Sequence, residues 1–244
     1  MFKVLLSGQF KNSDKLANPD VGVLVANTIP VSLTSQQQGQ KLIYDGARAA
    51  NTIPQSVGGM RQWRPTIIDI DHINGSIPAG KESIEEILKV FHSSTNYSTQ
   101  VGLVRSWPTV SKQKPTIEQV AKSAVALYEQ DKYGKPHINK LTQFTACWVH
   151  PYTAEWSEWS SAAKEAWILA ATHNKPVYAD TTLMFHPMAH VGSKPIDANR
   201  VMWMLTELYM HKYDGVIVRG YEEDEELSMV FYEAIMNALN QINS

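Results

Sequence analysis

The feature that most constrains the fold is a regular alternation of short apolar runs with longer segments of helical periodicity. The runs are rich in β-branched residues and apolar throughout, which is typical of strands buried on both faces of a parallel sheet. We predict strands over residues 21–26, 66–72, 101–107, 144–150, 176–180 and 215–219, with residues 2–7 as a candidate further strand. The predicted helices cover residues 35–50, 81–91, 116–130, 154–174, 197–212 and 222–242.

Such an alternation builds either a (β/α) barrel or an open doubly wound sheet. Polar or aromatic side chains end almost every predicted strand on one parity, and a barrel gathers all its strand ends around one mouth. We therefore predict a single α/β domain over residues 1–244, a TIM-like parallel (β/α) barrel with eight regular units or fewer. The residues expected at the mouth are Asn27, Asp69, Asp71, Arg105, Trp107, His150, Tyr152, Asp180, Arg219 and Tyr221.

Composition argues against several classes of partner. The formal net charge of -2 offers no general basic surface for nucleic acid or an anionic membrane. Neither a Gly-x-Gly-x-x-Gly motif after the first strand nor a Gly-Lys-Ser/Thr loop occurs, so no nucleotide cofactor is expected. Cys147 is the single cysteine, and the first apolar run is too short for a signal peptide. We expect a location in the cytoplasm or in a particle assembled there.

Two carboxylates on one strand carry the main functional signal. Residues 66–72 read TIIDIDH, and strand alternation places Asp69 and Asp71 on one face, with His72 on the other. Their spacing along the strand is about 6.6 Å, from a rise of ~3.3 Å per residue. Glycosidases hold their paired carboxyls about 5–9.5 Å apart, and one acid of a close pair is readily kept protonated. The spacing fits a sugar-cleaving pair without deciding between retention and inversion.

The segment around these acids resembles that of hyaluronidase-type glycoside hydrolases, and more loosely chitinase-like and hexosaminidase-like barrels. The resemblance rests on residues 68–71 (IDID), on residues 51–55 (NTIPQ) with Gly58 and Gly59, and on residues 213–220 (YDGVIVRG). It implies that Asp69 positions a substrate acetamido group and that Asp71 protonates the leaving oxygen. The chain departs from the family pattern in three ways: Asp71 replaces the usual Glu, Arg219 replaces a Trp, and the disulfides are absent.

Other residues leave further readings open. Trp63, Trp107, Trp148, Tyr152 and Tyr221 lie near predicted strand ends, where they serve either as sugar platforms or in packing. Arg105 and Arg219 face the predicted mouth, either to bind a substrate anion or to form structural ion pairs. A metal site is a separate hypothesis, although Pro187 disfavours a regular helix between two of the histidines. Its candidate ligands are His72, His150, His186, His190, Asp71 and Asp180.

The leading functional prediction is therefore a glycosidase that acts on a β-linked or N-acetylated glycan by carboxylate acid catalysis. The first alternative is a barrel without catalysis that binds glycan or forms part of a larger assembly, and the Asp-for-Glu change favours it. The second alternative is a metal-dependent hydrolase.

Overall fold

Parallel strands form the wall of a barrel in this computed structural model, which describes residues 1–7, 12–32, 35–38, 41–61, 63–71, 78–96, 98–105, 137–151, 155–184, 194–219 and 225–244. The strands are β1 (Lys3–Leu6), β2 (Val23–Val25), β3 (Asn27–Ser32), β4 (Ser35–Gln38), β5 (Lys41–Tyr44), β6 (Thr66–Asp71), β7 (Val101–Arg105), β8 (Thr145–Trp148), β9 (Val177–Thr182) and β10 (Gly215–Arg219). The helices are α1 (Ser13–Leu16), α2 (Gly46–Ala50), α3 (Ile53–Gly58), α4 (Pro78–Ser94), α5 (His137–Leu141), α6 (Trp156–Ala171), α7 (Ala198–Met210) and α8 (Glu225–Ile242), and a 3₁₀ turn covers Pro19–Val21.

The wall consists of a five-stranded sheet in the order β2-β1-β10-β9-β8 and a three-stranded sheet in the order β3-β6-β7. All of their strand pairs are parallel. One extended segment joins the two sheets, because the Ala26 amide donates to Leu6 at 2.9 Å and the next amide, of Asn27, donates to Pro65 at 2.9 Å. The predicted parallel (β/α) barrel is thus confirmed, with a strand that changes sheets at Ala26.

The barrel buries apolar side chains both inside and outside its wall. Its interior holds one cluster, formed by Leu5, Ala26, Ile67, Phe144, Ala146, Tyr178 and Ile217. A second cluster packs the outer face of β3, β6 and β7 against α2, α3 and α4, and a third packs the outer face of the larger sheet against α6, α7 and α8. Burial on both faces explains why the strands read as continuous apolar runs. No described helix has the length and apolar character needed to cross a membrane.

Most predicted elements are confirmed within a few residues. β10 has the predicted bounds, and the candidate strand at residues 2–7 forms β1. Asp197 caps α7 as predicted, because its Oδ1 accepts a hydrogen bond from the Arg200 amide at 3.0 Å. The helix predicted over residues 116–130 lies outside the described residues.

The helix predicted over residues 35–50 is wrong over most of its length. β4 and β5 pair as an antiparallel hairpin, with Ser35 opposite Tyr44. The helix begins only at Gly46, where Asp45 caps it by accepting from the Arg48 amide at 3.0 Å. The β-branched and aromatic residues Ile43 and Tyr44 favour a strand, and an Asp-Gly pair favours a helix start over a helix interior.

Candidate functional site

Four polar side chains meet inside the carboxyl end of the barrel: Asp69 of β6, His150 after β8, Asp180 of β9 and Arg219 of β10. We call these four residues the mouth network. The apolar residue two positions before each carboxylate, Ile67 or Tyr178, belongs to the interior cluster, as does Ile217 before Arg219. Strand alternation therefore directs these side chains into the barrel. The sequence predicted this parity correctly.

Arg219 binds both carboxylates of the network at once. Its Nη1 donates to Asp69 Oδ2 at 2.8 Å, and its Nη2 lies 3.3 Å from Asp69 Oδ1. Its Nε donates to Asp180 Oδ1 at 2.8 Å, and Nη2 donates to Asp180 Oδ2 at 3.0 Å. Arg219 therefore forms two bidentate pairs, one with each carboxylate, and each pair uses a different edge of the guanidinium. Of the two roles predicted for Arg219, the structure contains the ion pair with the chain's own acids.

His150 extends the network on the other side of Asp180. Its Nε2 lies 3.3 Å from Asp180 Oδ2, and its ring stacks on Trp148 with centroids 4.8 Å apart and planes 21° apart. Asp180 is fully buried, and the His150 side chain is 11% exposed. The two contacts fix the plane of the imidazole and the nitrogen that faces Asp180.

The electrostatics of the network follow from its burial. Burial raises the pKa of the Asp180 carboxyl, but Arg219 and His150 more than offset this, so the pKa lies below its usual range. Burial lowers the pKa of the His150 imidazole, and the hydrogen bond that the ring donates to Asp180 only partly opposes it. With a neutral His150, one guanidinium and two carboxylates leave the mouth network with one net negative charge.

Sequence reasoning missed Ser7, which follows β1 beside Arg219. The Ser7 amide donates to Val218 at 3.0 Å, and Ser7 shares the parity of Leu5, a member of the interior cluster. Its hydroxyl is buried and has no hydrogen-bond partner among the described residues. The sequence did contain a signal for Ser7. Ser7 is a polar residue two positions after the inward-facing Leu5 at a strand end, which is the pattern of the other residues of the mouth network.

The structure places Asn27 away from the mouth, so its predicted position is wrong. Asn27 begins β3, opposite Thr66 at the amino end of β6, whereas Asp69 lies opposite Pro30. Its side-chain amide donates to the Arg61 carbonyl at 3.0 Å and contacts Thr66 Oγ1 at 3.3 Å. The first full strand was predicted to end at residue 26, but the extended segment continues and enters the second sheet after Ala26. Asn27 therefore begins β3 and lies at the amino end of the barrel.

The parity predicted for the third strand is also wrong. Leu103 packs in the outer cluster with Ile68 and Ile70, instead of facing the interior. Arg105 is opposite Ile70 in the register and therefore has the backbone parity of an outward position. The position that approaches the interior is Gly102, where a Cβ would overlap the Phe144 ring.

The structure describes several other predicted site residues only in part or not at all. The backbone of Asp71 pairs with Ser32 at the carboxyl end of β6, and the side chains of Asp71 and Arg105 lie outside the described part. Six further residues of the predicted mouth and metal sites also lie outside the described residues: Trp107, Tyr152, Tyr221, His72, His186 and His190. Trp63 lies before β6, at the amino end, and is 76% exposed, so it is not at the mouth. Within the described residues, no group of three potential metal ligands is present.

The fold and the mouth network define a parallel (β/α) barrel with polar residues at the carboxyl ends of its strands. The solved structures that resemble it include bee venom hyaluronidase, with a TM-score of 0.62 and 10% identity over 99% of both chains. A candidate α-L-fucosidase from Bacteroides thetaiotaomicron has a TM-score of 0.53 at 10% identity, over 80% of this chain and 61% of that one. An archaeal fructose-1,6-bisphosphate aldolase has a TM-score of 0.50 at 11% identity, over 98% of this chain and 94% of that one.

These likenesses show the fold alone, because sequence identity is low. The predicted resemblance to hyaluronidase-type barrels is confirmed at that level. The sequence matches no protein-family model and no curated protein. Glycoside hydrolases and an aldolase both occur among these structures, so activity has to be argued from the site.

Proposed function

We propose that this chain is a glycoside hydrolase that acts on a β-linked or N-acetylated glycan at the carboxyl end of the barrel. The observation that carries the proposal is the pairing of Arg219 with both Asp69 and Asp180. The Arg219 guanidinium is paired with the chain's own acids, and the four residues of the mouth network keep one net negative charge. Such a site disfavours phosphate or carboxylate ligands, and it suits a neutral sugar whose transition state develops positive charge.

The two acids of β6 take different roles in this proposal. Asp69 accepts hydrogen bonds from Arg219, which favours its charged form, so it orients the substrate and stabilises positive charge near the reacting carbon. Asp71 lies two residues further along the strand, about 6.6 Å at the usual rise. A carboxyl near a fixed carboxylate retains its proton more readily. Asp71 is therefore the general acid that protonates the leaving oxygen, in agreement with the order of acids in hyaluronidase-type enzymes.

The test is hydrolysis by the Asp71→Asn variant. A panel of β-linked and N-acetylated oligosaccharides identifies a substrate through release of reducing sugar by the wild-type chain. With that substrate we expect Asp71→Asn to lose at least about 10²-fold in kcat, the usual contribution of general acid catalysis. Thermal unfolding of the variant should match the wild type. Retained turnover would contradict the role of Asp71.

Asp20→Asn is the matched control, because it makes the same chemical change at an exposed position in the turn before β2. It should hydrolyse the substrate at the wild-type rate. A loss of activity in both variants would indicate a general effect of reduced charge and would remove the support for a specific acid at Asp71.

A second candidate function is glycan binding without hydrolysis. The bidentate Asp69–Arg219 pair favours this function, because both oxygens of the Asp69 carboxylate already accept hydrogen bonds from Arg219. A glycan array separates the two functions when it is combined with the reducing-sugar assay. Binding without release by the wild-type chain supports the second function, and release supports the first.

A further inference from the structure

The geometry around His150 determines which of its nitrogens carries the proton. Asp180 uses both oxygens to accept from Arg219, and its Oδ2 also contacts His150 Nε2. An ionised carboxylate only accepts hydrogen bonds, so His150 Nε2 must donate to it. The neutral ring is therefore the Nε2–H tautomer, and the lone pair lies on Nδ1.

Within the described part of the chain, Nδ1 is the ring nitrogen of His150 that has no hydrogen-bond partner. The ring lies over Trp148 at the carboxyl end of the barrel. The charged groups that face the ring in the described part are Asp180 of β9 and Arg219 of β10, which act on its pKa in opposite directions. Because burial lowers that pKa below its ordinary value, the ring is neutral near pH 7 and can accept a proton.

We propose that His150 is the proton acceptor of the mouth through Nδ1, with Asp180 and Arg219 as positioning residues. The identity of the proton donor rests on the proposed function: it is the water that attacks the anomeric carbon. As the bond from this water oxygen to the carbon forms, its proton moves to Nδ1, while the glycosidic bond breaks and Asp71 gives a proton to the leaving oxygen. The tautomer itself is independent of the substrate.

The first experiment reads the tautomer directly by long-range ¹H–¹⁵N NMR on the full chain labelled at histidine. The His150 signals are assigned by their loss in His150→Gln. We expect the neutral Nε2–H form near pH 7 in the wild type. In Asp180→Asn the side-chain NH₂ faces the ring once the amide oxygen binds Arg219, so the ring should change to the Nδ1–H form, as in the corresponding Asn variant of the serine protease triad. A cationic ring, or an Nδ1–H ring in the wild type, would overturn the proposal.

The second experiment measures kinetics on the glycan selected above. We expect His150→Ala to lose about 10²–10⁴-fold in kcat, with partial rescue by added imidazole. Circular dichroism checks that the variants are folded. The matched control is His211→Gln, because His211 contacts Ser160 and Glu207 on the outer helices, and it should keep wild-type activity. Full activity of folded His150→Ala would overturn the role of His150.

The two experiments distinguish failure of the inference from failure of the proposed function. If no glycan is hydrolysed by the wild-type chain, the proposed function fails, and the NMR result still decides whether His150 is held as a proton acceptor by Asp180.

Discussion

At the scale of single residues, Arg219 connects the two carboxylates of the mouth network. Its ion pair with Asp69 joins residues 150 positions apart and connects the five-stranded sheet to the three-stranded sheet across the barrel interior. The Arg219 side chain is 16% exposed, and the side chains of its partners Asp69 and Asp180 are 11% and 0% exposed. Removal of the cation would leave two carboxylates buried without a counter-charge, which is far more costly than loss of a surface pair.

We expect Arg219→Met to lower the free energy of unfolding by about 3–5 kcal/mol, the usual cost of removing one partner from a buried ion pair. Arg219→Lys should recover little, because an ammonium group cannot form two bidentate pairs. Urea unfolding followed by tryptophan fluorescence measures both variants.

Arg48→Met is the control for this change, because Arg48 is an exposed arginine on α2. Its free energy of unfolding should stay within about 0.5 kcal/mol of the wild type. An equally small effect of Arg219→Met would show that the guanidinium is not needed to neutralise Asp69 and Asp180.

At the scale of elements, the predicted site was most accurate on β6, β9 and β10, whose inward-facing residues were predicted correctly. The parity of Asp69, His150, Asp180 and Arg219 was predicted correctly, and these four residues form the mouth network. Asn27 was misplaced because the extended segment changes sheets at Ala26, a tertiary event that has no local signal in an apolar run. The pattern Val-Gly-Leu-Val of β7 is apolar on both faces, so alternation could not show which face is inside.

The sequence predicted structural ion pairs as one of two roles for Arg219, but it did not select the partners, since several acids on different strands were equivalent candidates. Only the barrel's geometry selects Asp69 and Asp180 from that set. The tautomer of His150 likewise depends on its three-dimensional neighbours, because Asp180 lies 30 positions away in the sequence.

The approach of β7 to β8 gives a prediction at this scale. A Cβ at Gly102 would overlap the ring of Phe144, which is 3% exposed and belongs to the interior cluster. We expect Gly102→Ala to lower the free energy of unfolding by about 1–3 kcal/mol through overpacking. Urea unfolding measures the change.

Gly58→Ala is the matched control, because a Cβ at Gly58 of α3 meets nothing within 4 Å. It should leave stability unchanged or raise it by up to about 1 kcal/mol, the helix preference of Ala over Gly. If Gly102→Ala behaves like Gly58→Ala, the close contact of β7 with Phe144 is absent in solution.

At the scale of the whole molecule, the two ends of the barrel differ in chemistry. The carboxyl end holds the mouth network, whose charges are bound to one another. The amino end has a cavity of about 330 Å³ lined by residues that include Lys3, Trp63, Gln100, Phe144 and Tyr178. Aromatic rings and polar groups at this second end would also suit a sugar, so the location of the ligand is the central question.

A crystal structure of Asp71→Asn with a bound N-acetylated oligosaccharide, selected on the glycan array, tests this location most directly. We expect sugar density at the carboxyl ends of the strands, with a ring hydroxyl or an ordered water within hydrogen-bond distance of His150 Nδ1. Sugar density confined to the amino-end cavity beside Trp63 and Tyr178 would contradict the proposed site.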